Sequence, residues 1–386
     1  MTNQPLVSFV VPCYRLGHLI GECLKSILAQ SYQNIEVLVM DDCSPDHTGE
    51  VVSAIHDARL IYIRNEPNLG HLRNYNKGID LARGKYVWLI SADDVLRSNA
   101  VVERFVEVLE RHPSVGYVFC PAIRFTADRD LGVYGSHGPK DRLFEGRRFL
   151  QQWLVRGNSV PAAAGLARKT CYQHSGVFPL DIPFAGDWYM WSVFALHADV
   201  AYLAEPMVGY RSHDGNMTHD FKRRPKALIA DNFKVLWRMK KAAESHGHRS
   251  LARAYFRAIA AAYAYTVAPP LRDALHEPGL TVDELEASLA MHSGDRREAA
   301  SIKGAVFAAL GDSEYDAGNL PAAQACYEAA LAFTPLSMRT MAKKVLTQCG
   351  QPGRRTRDAL TVWKRRASAA ASLDRKARAH GAQPAR

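Results

Sequence analysis

The sequence lacks the features of disulfide-rich, zinc-binding and membrane-spanning proteins. Its seven cysteines are odd in number, widely spaced and never arranged as C-x-x-C, so they indicate neither a disulfide framework nor a zinc site. No apolar run reaches the roughly 20 residues that cross a bilayer. The first run, 6–12, also lacks the preceding basic residues and the cleavage site of a secretory signal. We therefore expect a cytoplasmic protein without a spanning segment.

Glycine-rich phosphate loops are also absent. Neither G-x-G-x-x-G nor G-x-x-x-x-G-K-[ST] follows a predicted strand, which argues against a dinucleotide oxidoreductase or a P-loop NTPase. A sugar-nucleotide nucleotidyltransferase needs glycine, Arg and Lys directly after its first strand, and residues 13–17 do not supply them. A diphosphate ligand therefore needs another counter-charge, such as a divalent cation held by carboxylates.

An acidic surplus is lacking too, since the 386 residues carry a formal charge of +10. Most of the excess lies in residues 353–386, where ten basic and two acidic side chains leave only +2 for the rest of the chain. This tail is compatible with a disordered, solvated extension or with a short amphipathic helix on anionic lipid. Because the body of the protein is nearly neutral, we expect no nucleic-acid partner.

The first 120 residues alternate short β-branched runs with amphipathic helical patterns. Strands are predicted at 6–11, 35–40, 60–63, 86–90 and 115–119, with helices at 19–28, 48–56, 69–81 and 101–109. This order predicts an α/β fold with a mainly parallel sheet covered by helices on both faces. Ligands of such sheets bind outside the carboxyl ends of the strands, and acidic segments follow the second and fourth strands here.

Seven segments resemble the successive signatures of the family 2 glycosyltransferases, which have the GT-A fold. They are V-S-F-V-V-P-C-Y (7–14), M-D-D-C-S-P-D-H-T (40–48), N-L-G-H-L-R-N (68–74), G-K-Y-V (84–87), S-A-D-D (91–94), G-D-W (186–188) and Y-R-S-H (210–213). The resemblance covers about residues 5–220. It implies transfer of a sugar from a nucleotide-diphosphate sugar to a sugar or lipid-linked acceptor hydroxyl, with inversion, in surface polysaccharide or glycoconjugate biosynthesis.

The resemblance also implies roles in the nucleotide pocket. Asp42 would accept a hydrogen bond from the base, Pro12 and Tyr14 would form a wall of the pocket, and Arg73 would reach the nucleotide or its diphosphate. The alternative for Arg73 is a solvated helix residue.

For the D-x-D element, the resemblance implies that Asp93 contacts the ribose and that Asp94 ligates Mg²⁺ or Mn²⁺. The leading acid of the fullest motif is Ser91 here, which removes one negative charge near the cation. Taken alone, the two aspartates are also compatible with a helix N-cap. His213 matches a histidine that reaches back to the metal or the diphosphate, with a structural or exposed histidine as the alternative.

Asp187 matches the carboxylate that removes the acceptor's proton, so the resemblance implies that it is the catalytic base. The first acid of the family's pair is Gly186 here. An N-cap for the helix predicted at 188–196 is compatible with that role, because a helix N-terminus stabilises an ionised carboxylate. The small-residue stretch 157–165 is either an acceptor-facing segment or a flexible loop.

After about residue 221, strand signals stop and helical patterns dominate 225–347. Spaced residues at 305–336 resemble one tetratricopeptide repeat, although a chance match on an Ala-rich helical pair stays open. The expected domains are a transferase at 1–220, a helical domain at 221–352 and the basic tail at 353–386. The tail would allow peripheral contact with the inner face of a membrane. The competing function is a non-catalytic, protein-binding scaffold with a relict transferase fold.

Overall fold

The computed structural model describes residues 4–218, 223–267 and 282–348. The chain divides into two compact units between Ala258 and Ile259. The domain boundaries predicted at 220 and 352 and the basic tail at 353–386 lie outside the described residues, so they stay predictions. None of the helices in the described ranges is long and apolar enough to cross a lipid bilayer.

The first unit alternates strands and helices as the sequence predicts over its first 120 residues. Its strands are β1 (Val7–Cys13), β2 (Ile35–Asp41), β3 (Leu60–Arg64), β4 (Tyr86–Leu89), β5 (Val95–Leu96), β6 (Val115–Phe119), β7 (Ala122–Phe125), β8 (Asp130–Tyr134), β9 (Arg142–Phe144), β10 (Gly165–Arg168), β11 (Asp199–Tyr202) and β12 (Val208–Arg211). Its helices are α1 (Gly17–Leu28), α2 (Thr48–Ser53), α3 (His71–Leu81), α4 (Val101–Arg111), α5 (Gly146–Gln152), α6 (Lys169–Ser175), α7 (Gly186–His197) and α8 (Pro225–Ser245).

An eight-stranded sheet in the order β3-β2-β1-β4-β10-β6-β11-β9 forms the centre of this unit. β1 is parallel to both neighbours, with Val7 opposite Ile35 on β2 and Tyr86 on β4. The predicted α/β class is confirmed. The sheet is mixed, however, because β10 enters antiparallel between β4 and β6. A second sheet, β5-β12-β7-β8, brings the end of β12 beside the segment that follows β4.

The core of the sheet forms because its central strands are apolar on both faces. All seven residues of β1 and all seven of β2 are buried. The ring of Trp88 on β4 stacks between Phe9 of β1 and Phe105 of α4, with centroid distances of 5.4 and 5.0 Å. Aromatic contacts of this kind add to the free energy of burial. They hold β1 and β4 in register, so that their carboxyl ends lie together.

Gly84, just before β4, provides a test of this packing. A Cβ atom there would lie 2.7 Å from the carbonyl oxygen of Leu6 and 2.7 Å from the backbone nitrogen of Ser8. Because both neighbours are backbone, we expect Gly84→Ala to lower the free energy of unfolding by about 1–3 kcal/mol. Urea unfolding followed by circular dichroism measures the change.

Gly21→Ala is the matched control. A Cβ at Gly21 in α1 would meet only Val51, at an ordinary 3.6 Å, so the free energy of unfolding should stay equal or rise by about 0.5–1 kcal/mol. Equal midpoints for the two variants would show that the approach of Gly84 to β1 is not close in solution.

The second unit is helical. α9 (Arg249–Val267) crosses the division, and α10 (Val282–His292), α11 (Arg296–Asp316), α12 (Leu320–Phe333) and α13 (Met338–Gln348) follow. α11 and α12 form a hairpin whose turn contains Gly318 at a φ of +86°, a value that favours glycine. The buried ring of Tyr327 packs where Gly311 leaves room, and its hydroxyl donates to Asp312 at 2.8 Å. A hairpin is therefore present at the predicted 305–336, whereas its assignment to the tetratricopeptide family stays a prediction.

Candidate active site

A cleft of about 550 Å³ lies at the carboxyl ends of β1, β2 and β4. Six of the residues singled out in the sequence line it. They are Pro12, Tyr14, Asp42, Asp93, Asp94 and Asp187. Pro12 lies near the end of β1, and Tyr14, Asp42, Asp93 and Asp94 follow β1, β2 and β4, which are neighbours in the sheet. Asp187 comes from the first turn of α7. The fold therefore brings carboxylates that are up to 145 positions apart in the sequence to one cavity.

Asp42 stabilises the loop that precedes α3 by accepting hydrogen bonds from it. One of its carboxylate oxygens accepts hydrogen bonds from the backbone nitrogen of Leu69 at 2.8 Å and the amide of Asn65 at 2.9 Å. The other accepts from the backbone nitrogen of Gly70 at 2.9 Å. Asp42 is 3% exposed, so these bonds compensate the burial of its charge. Any contact with a nucleotide base would add to this structural role.

The buried pair Asp93–Asp94 is held by the loop after β12. Asp94 Oδ1 accepts a hydrogen bond from the backbone nitrogen of Arg211 at 2.9 Å, while the Arg211 guanidinium donates to the carbonyl of Asp93. Asp93 Oδ2 accepts from His213 Nε2 and from the side-chain amide of Asn216, each at 3.0 Å. No helix follows the pair directly, because β5 begins at Val95. The N-cap interpretation of the two aspartates is therefore wrong.

His213 contacts Asp93 through a defined ring orientation. Its Nδ1 accepts a hydrogen bond from the backbone nitrogen of Gly215 at 3.2 Å, so Nε2 carries the proton that it donates to Asp93. Both ring nitrogens are engaged in this arrangement. A direct bond from His213 to a metal would require the ring to leave Asp93, and the metal role of His213 stays a prediction.

The two carboxyl groups of the pair have opposite pKa shifts. Burial raises the pKa of Asp94 well above its ordinary value, and the adjacent charge of Asp93 raises it further. Burial would also raise the pKa of Asp93, but hydrogen bonds that include the one from His213 outweigh it and leave that pKa below its ordinary value. The shifts therefore favour an ionised Asp93 beside an Asp94 that binds its proton more readily.

The pair fits a divalent cation that also binds substrate. Within the described ranges, no three His, Cys, Asp or Glu side chains are grouped so that they could hold a metal by themselves. Mg²⁺ and similar ions, however, are commonly bound by one or two carboxylates together with substrate phosphates. Asp93 Oδ1 is buried and has no hydrogen-bond partner among the described residues, which is the state of an oxygen free to act as a ligand.

Asp187 lies in the first turn of α7, half-buried at the wall of the cleft. Its Oδ1 accepts from the backbone nitrogen of Trp188 at 2.8 Å, and its Oδ2 accepts from the side-chain amide of Asn158 at 2.7 Å. Burial raises the pKa of Asp187 to about 6, because these two bonds offset only part of the cost of burying its charge. Above pH 6 the carboxylate is ionised and able to accept a proton.

Arg73 and Tyr14 differ in their relation to the cleft. Tyr14 is 43% exposed at its mouth. Arg73 is exposed on α3 and is not among the residues that line the cavity, although its neighbours His71 and Leu72 are. The structure thus leaves the diphosphate role of Arg73 a prediction.

Sequence reasoning gave no role to three residues that organise the site: Asn158, Arg211 and Asn216. Arg211 lies within the Y-R-S-H segment and Asn216 follows it, so their position at a motif is the sequence feature that could have indicated a role in the site. Asn158 lies in the small-residue stretch 157–165, and no pattern in the sequence distinguishes its side chain.

Comparisons with known proteins agree with this geometry. Residues 8–170 match the model of glycosyl transferase family 2. An uncharacterized glycosyltransferase of Haemophilus influenzae is 29% identical over 60% of this chain and 74% of its own length. A putative colanic acid biosynthesis glycosyl transferase of Escherichia coli, WcaA, is 38% identical over 26% of this chain.

The chain spans only a little over a third of the length of WcaA and of two other relatives. In structure, it is similar to S. aureus TarS solved with UDP-GlcNAc, with a TM-score of 0.52 over 88% of each chain and 14% identity, which supports the fold. Residues 8–170 are therefore similar in sequence to the glycosyl transferase family 2 domain.

Proposed function

We propose that the protein is an inverting, metal-dependent glycosyltransferase that moves a sugar from a nucleotide-diphosphate sugar to an acceptor hydroxyl. The observation that carries the proposal is the presence in one cleft of a buried acid pair, Asp93–Asp94, and a separate carboxylate, Asp187, whose pKa lies near 6. A base whose pKa is close to neutral is ionised at working pH and still accepts a proton readily.

Each carboxylate has a different task in this mechanism. Asp187 accepts the proton of the acceptor hydroxyl as that oxygen attacks the anomeric carbon from the face opposite the diphosphate. A single displacement of this kind inverts the anomeric configuration. Asp94 would ligate Mg²⁺ or Mn²⁺, which when bound neutralises charge that develops on the leaving diphosphate. Asp93, whose Oδ1 has no hydrogen-bond partner among the described residues, would contact the ribose or the same cation. Asp42 and the loop that it stabilises would form the end of the pocket that receives the nucleobase.

The comparisons support the substrate class. TarS was solved with UDP-GlcNAc, and WcaA is described as a colanic acid biosynthesis enzyme. For this chain we therefore propose a nucleotide-sugar donor, a sugar or lipid-linked acceptor and a role in polysaccharide synthesis. The relict-scaffold alternative is less favoured, because a scaffold has no need to keep three carboxylates at the wall of one cleft.

The stereochemical outcome tests the mechanism without a known acceptor. Many transferases hydrolyse their donor slowly, so water can replace the acceptor. We expect ¹H NMR of the first sugar released from an α-linked nucleotide sugar, in the presence of Mn²⁺, to show the β anomer before mutarotation. Release of the α anomer would contradict a single displacement by Asp187-activated oxygen.

A further inference from the structure

We propose that Asn158 is the positioning residue of the candidate base, holding the Asp187 carboxylate in one orientation for the acceptor hydroxyl. This inference rests on the proposed function, since it assigns Asn158 to the base of that reaction. Its geometric basis is the 2.7 Å hydrogen bond from Asn158 Nδ2 to Asp187 Oδ2.

The orientation of the Asn158 amide is fixed by a second bond. Asn158 Oδ1 accepts from the backbone nitrogen of Val160 at 3.2 Å, so the NH₂ group is the end that faces Asp187. Gly157 precedes Asn158 and has a φ of +135°, a backbone conformation that residues other than glycine rarely adopt. The local backbone thus turns the amide toward α7.

The loop around Asn158 is anchored on both sides. The indole nitrogen of Trp188, next to the candidate base, donates to the carbonyl of Leu154 at 2.7 Å. The hydroxyl of Ser159 bonds to Nε2 of the buried His137 at 3.1 Å. Because these contacts tie the loop to α7 and to the buried ring of His137, they place the donor group of Asn158 beside Asp187.

The two hydrogen bonds to the Asp187 carboxylate leave lone-pair positions free to accept a proton. An ionised carboxylate offers about four lone-pair positions on its two oxygens. Trp188 occupies a position on Oδ1 and Asn158 occupies one on Oδ2. The plane of the carboxylate is then fixed at both oxygens, and each oxygen keeps a position for the acceptor's proton. Without Asn158, Oδ2 would lose this restraint, while the bond from the backbone nitrogen of Trp188 to Oδ1 would remain.

Two phenols near Asp187 do not ionise in the same pH range. Burial raises the pKa of Tyr75 on α3 and of Tyr134 on β8 above their ordinary values, so both phenols keep their protons. Burial lowers the pKa of His137 below its ordinary value and so favours the neutral ring. The remaining carboxylates of the cleft, Asp42, Asp93 and Asp94, give separate signals in a site-resolved measurement.

The test is a carboxyl titration by ¹³C NMR on the full chain with labelled aspartate. The resonance of Asp187 is identified by its absence in Asp187→Asn. We expect Asn158→Ala to raise the titration midpoint of Asp187 by about half a unit to one unit, because a donor to the ionised form is lost. Asn158→Asp should raise it further, since a second negative charge takes the donor's place.

Gln152→Ala is the matched control, because it removes an exposed side-chain amide at the end of α5, outside the residues that line the cleft and outside the contacts that anchor the loop. Its titration midpoint should equal that of the parent protein. In kinetics, Asn158→Ala should lower kcat by about tenfold and leave the donor KM unchanged. Unmoved midpoints in both Asn158 variants, or an equal shift in Gln152→Ala, would overturn the role of Asn158. A parent protein inactive with every donor would instead contradict the proposed function, because the titration needs no turnover.

Discussion

Asp187→Asn is expected to lower turnover by about 10² to 10⁴-fold while leaving nucleotide-sugar binding largely intact. The amide keeps the shape of the carboxylate but cannot accept the acceptor's proton. In the parent protein, log(kcat/KM) should fall below about pH 6, where Asp187 becomes protonated. That acid limb should be missing from the residual activity of the variant. Initial rates between pH 5 and 9 measure both effects.

The stability of the folded protein provides a control for Asp187→Asn. The pKa of Asp187 is higher when folded, about 6, than its ordinary value of 3.8, so between these values the folded state binds more protons. Stability contributed by this group therefore decreases as pH rises through that range. Above pH 6, Asp187→Asn should be at least as stable as the parent in a thermal melt. Turnover near that of the parent would remove Asp187 from the mechanism.

Asp94→Asn is expected to abolish the dependence of donor binding on Mn²⁺ and to lower turnover by at least about 10²-fold. The physical reason is the loss of a charged oxygen ligand, together with the charge stabilisation that a cation gives the leaving diphosphate. The asparagine still accepts from the backbone nitrogen of Arg211, so the loop after β12 should keep its position. Isothermal titration of the donor with and without Mn²⁺ measures the effect.

Asp214→Asn is the matched control for charge. Asp214 is exposed two residues before Asn216 and lies outside the residues that line the cleft, so the substitution removes one negative charge without changing the acid pair. Donor affinity and metal dependence should both be retained. If Asp94→Asn kept a metal-dependent donor affinity like that of this control, the cation would have to bind elsewhere.

The central sheet, and the edge of it where the cleft lies, could be predicted from the sequence because its central strands are buried along their whole length. β1, β2 and β6 are buried along their whole length, and the sequences of such strands are mostly apolar, with Ser8 on β1 and Glu36 and Asp41 on β2 as polar exceptions. Because parallel strands end at one edge, the acids after β2 and β4 could be expected in one cleft. Asp187 could be included only through its motif, since no local pattern connects α7 to that edge.

The remaining features depend on contacts between distant segments. β10 has only four residues, and its antiparallel entry between β4 and β6 is decided by pairing rather than by its composition. The bond from His213 to Asp93 spans 120 positions, and that from Asn158 to Asp187 spans 29. A histidine or asparagine in the sequence does not show which carboxylate it will meet.

A thermal-shift panel of nucleotide sugars, each with and without Mn²⁺, tests the central claim most directly. The account predicts that at least one donor raises the melting temperature of the full chain, that the rise depends on Mn²⁺, and that Asp94→Asn removes it. A melting temperature unchanged by every donor would contradict a working nucleotide-sugar site and favour the relict scaffold.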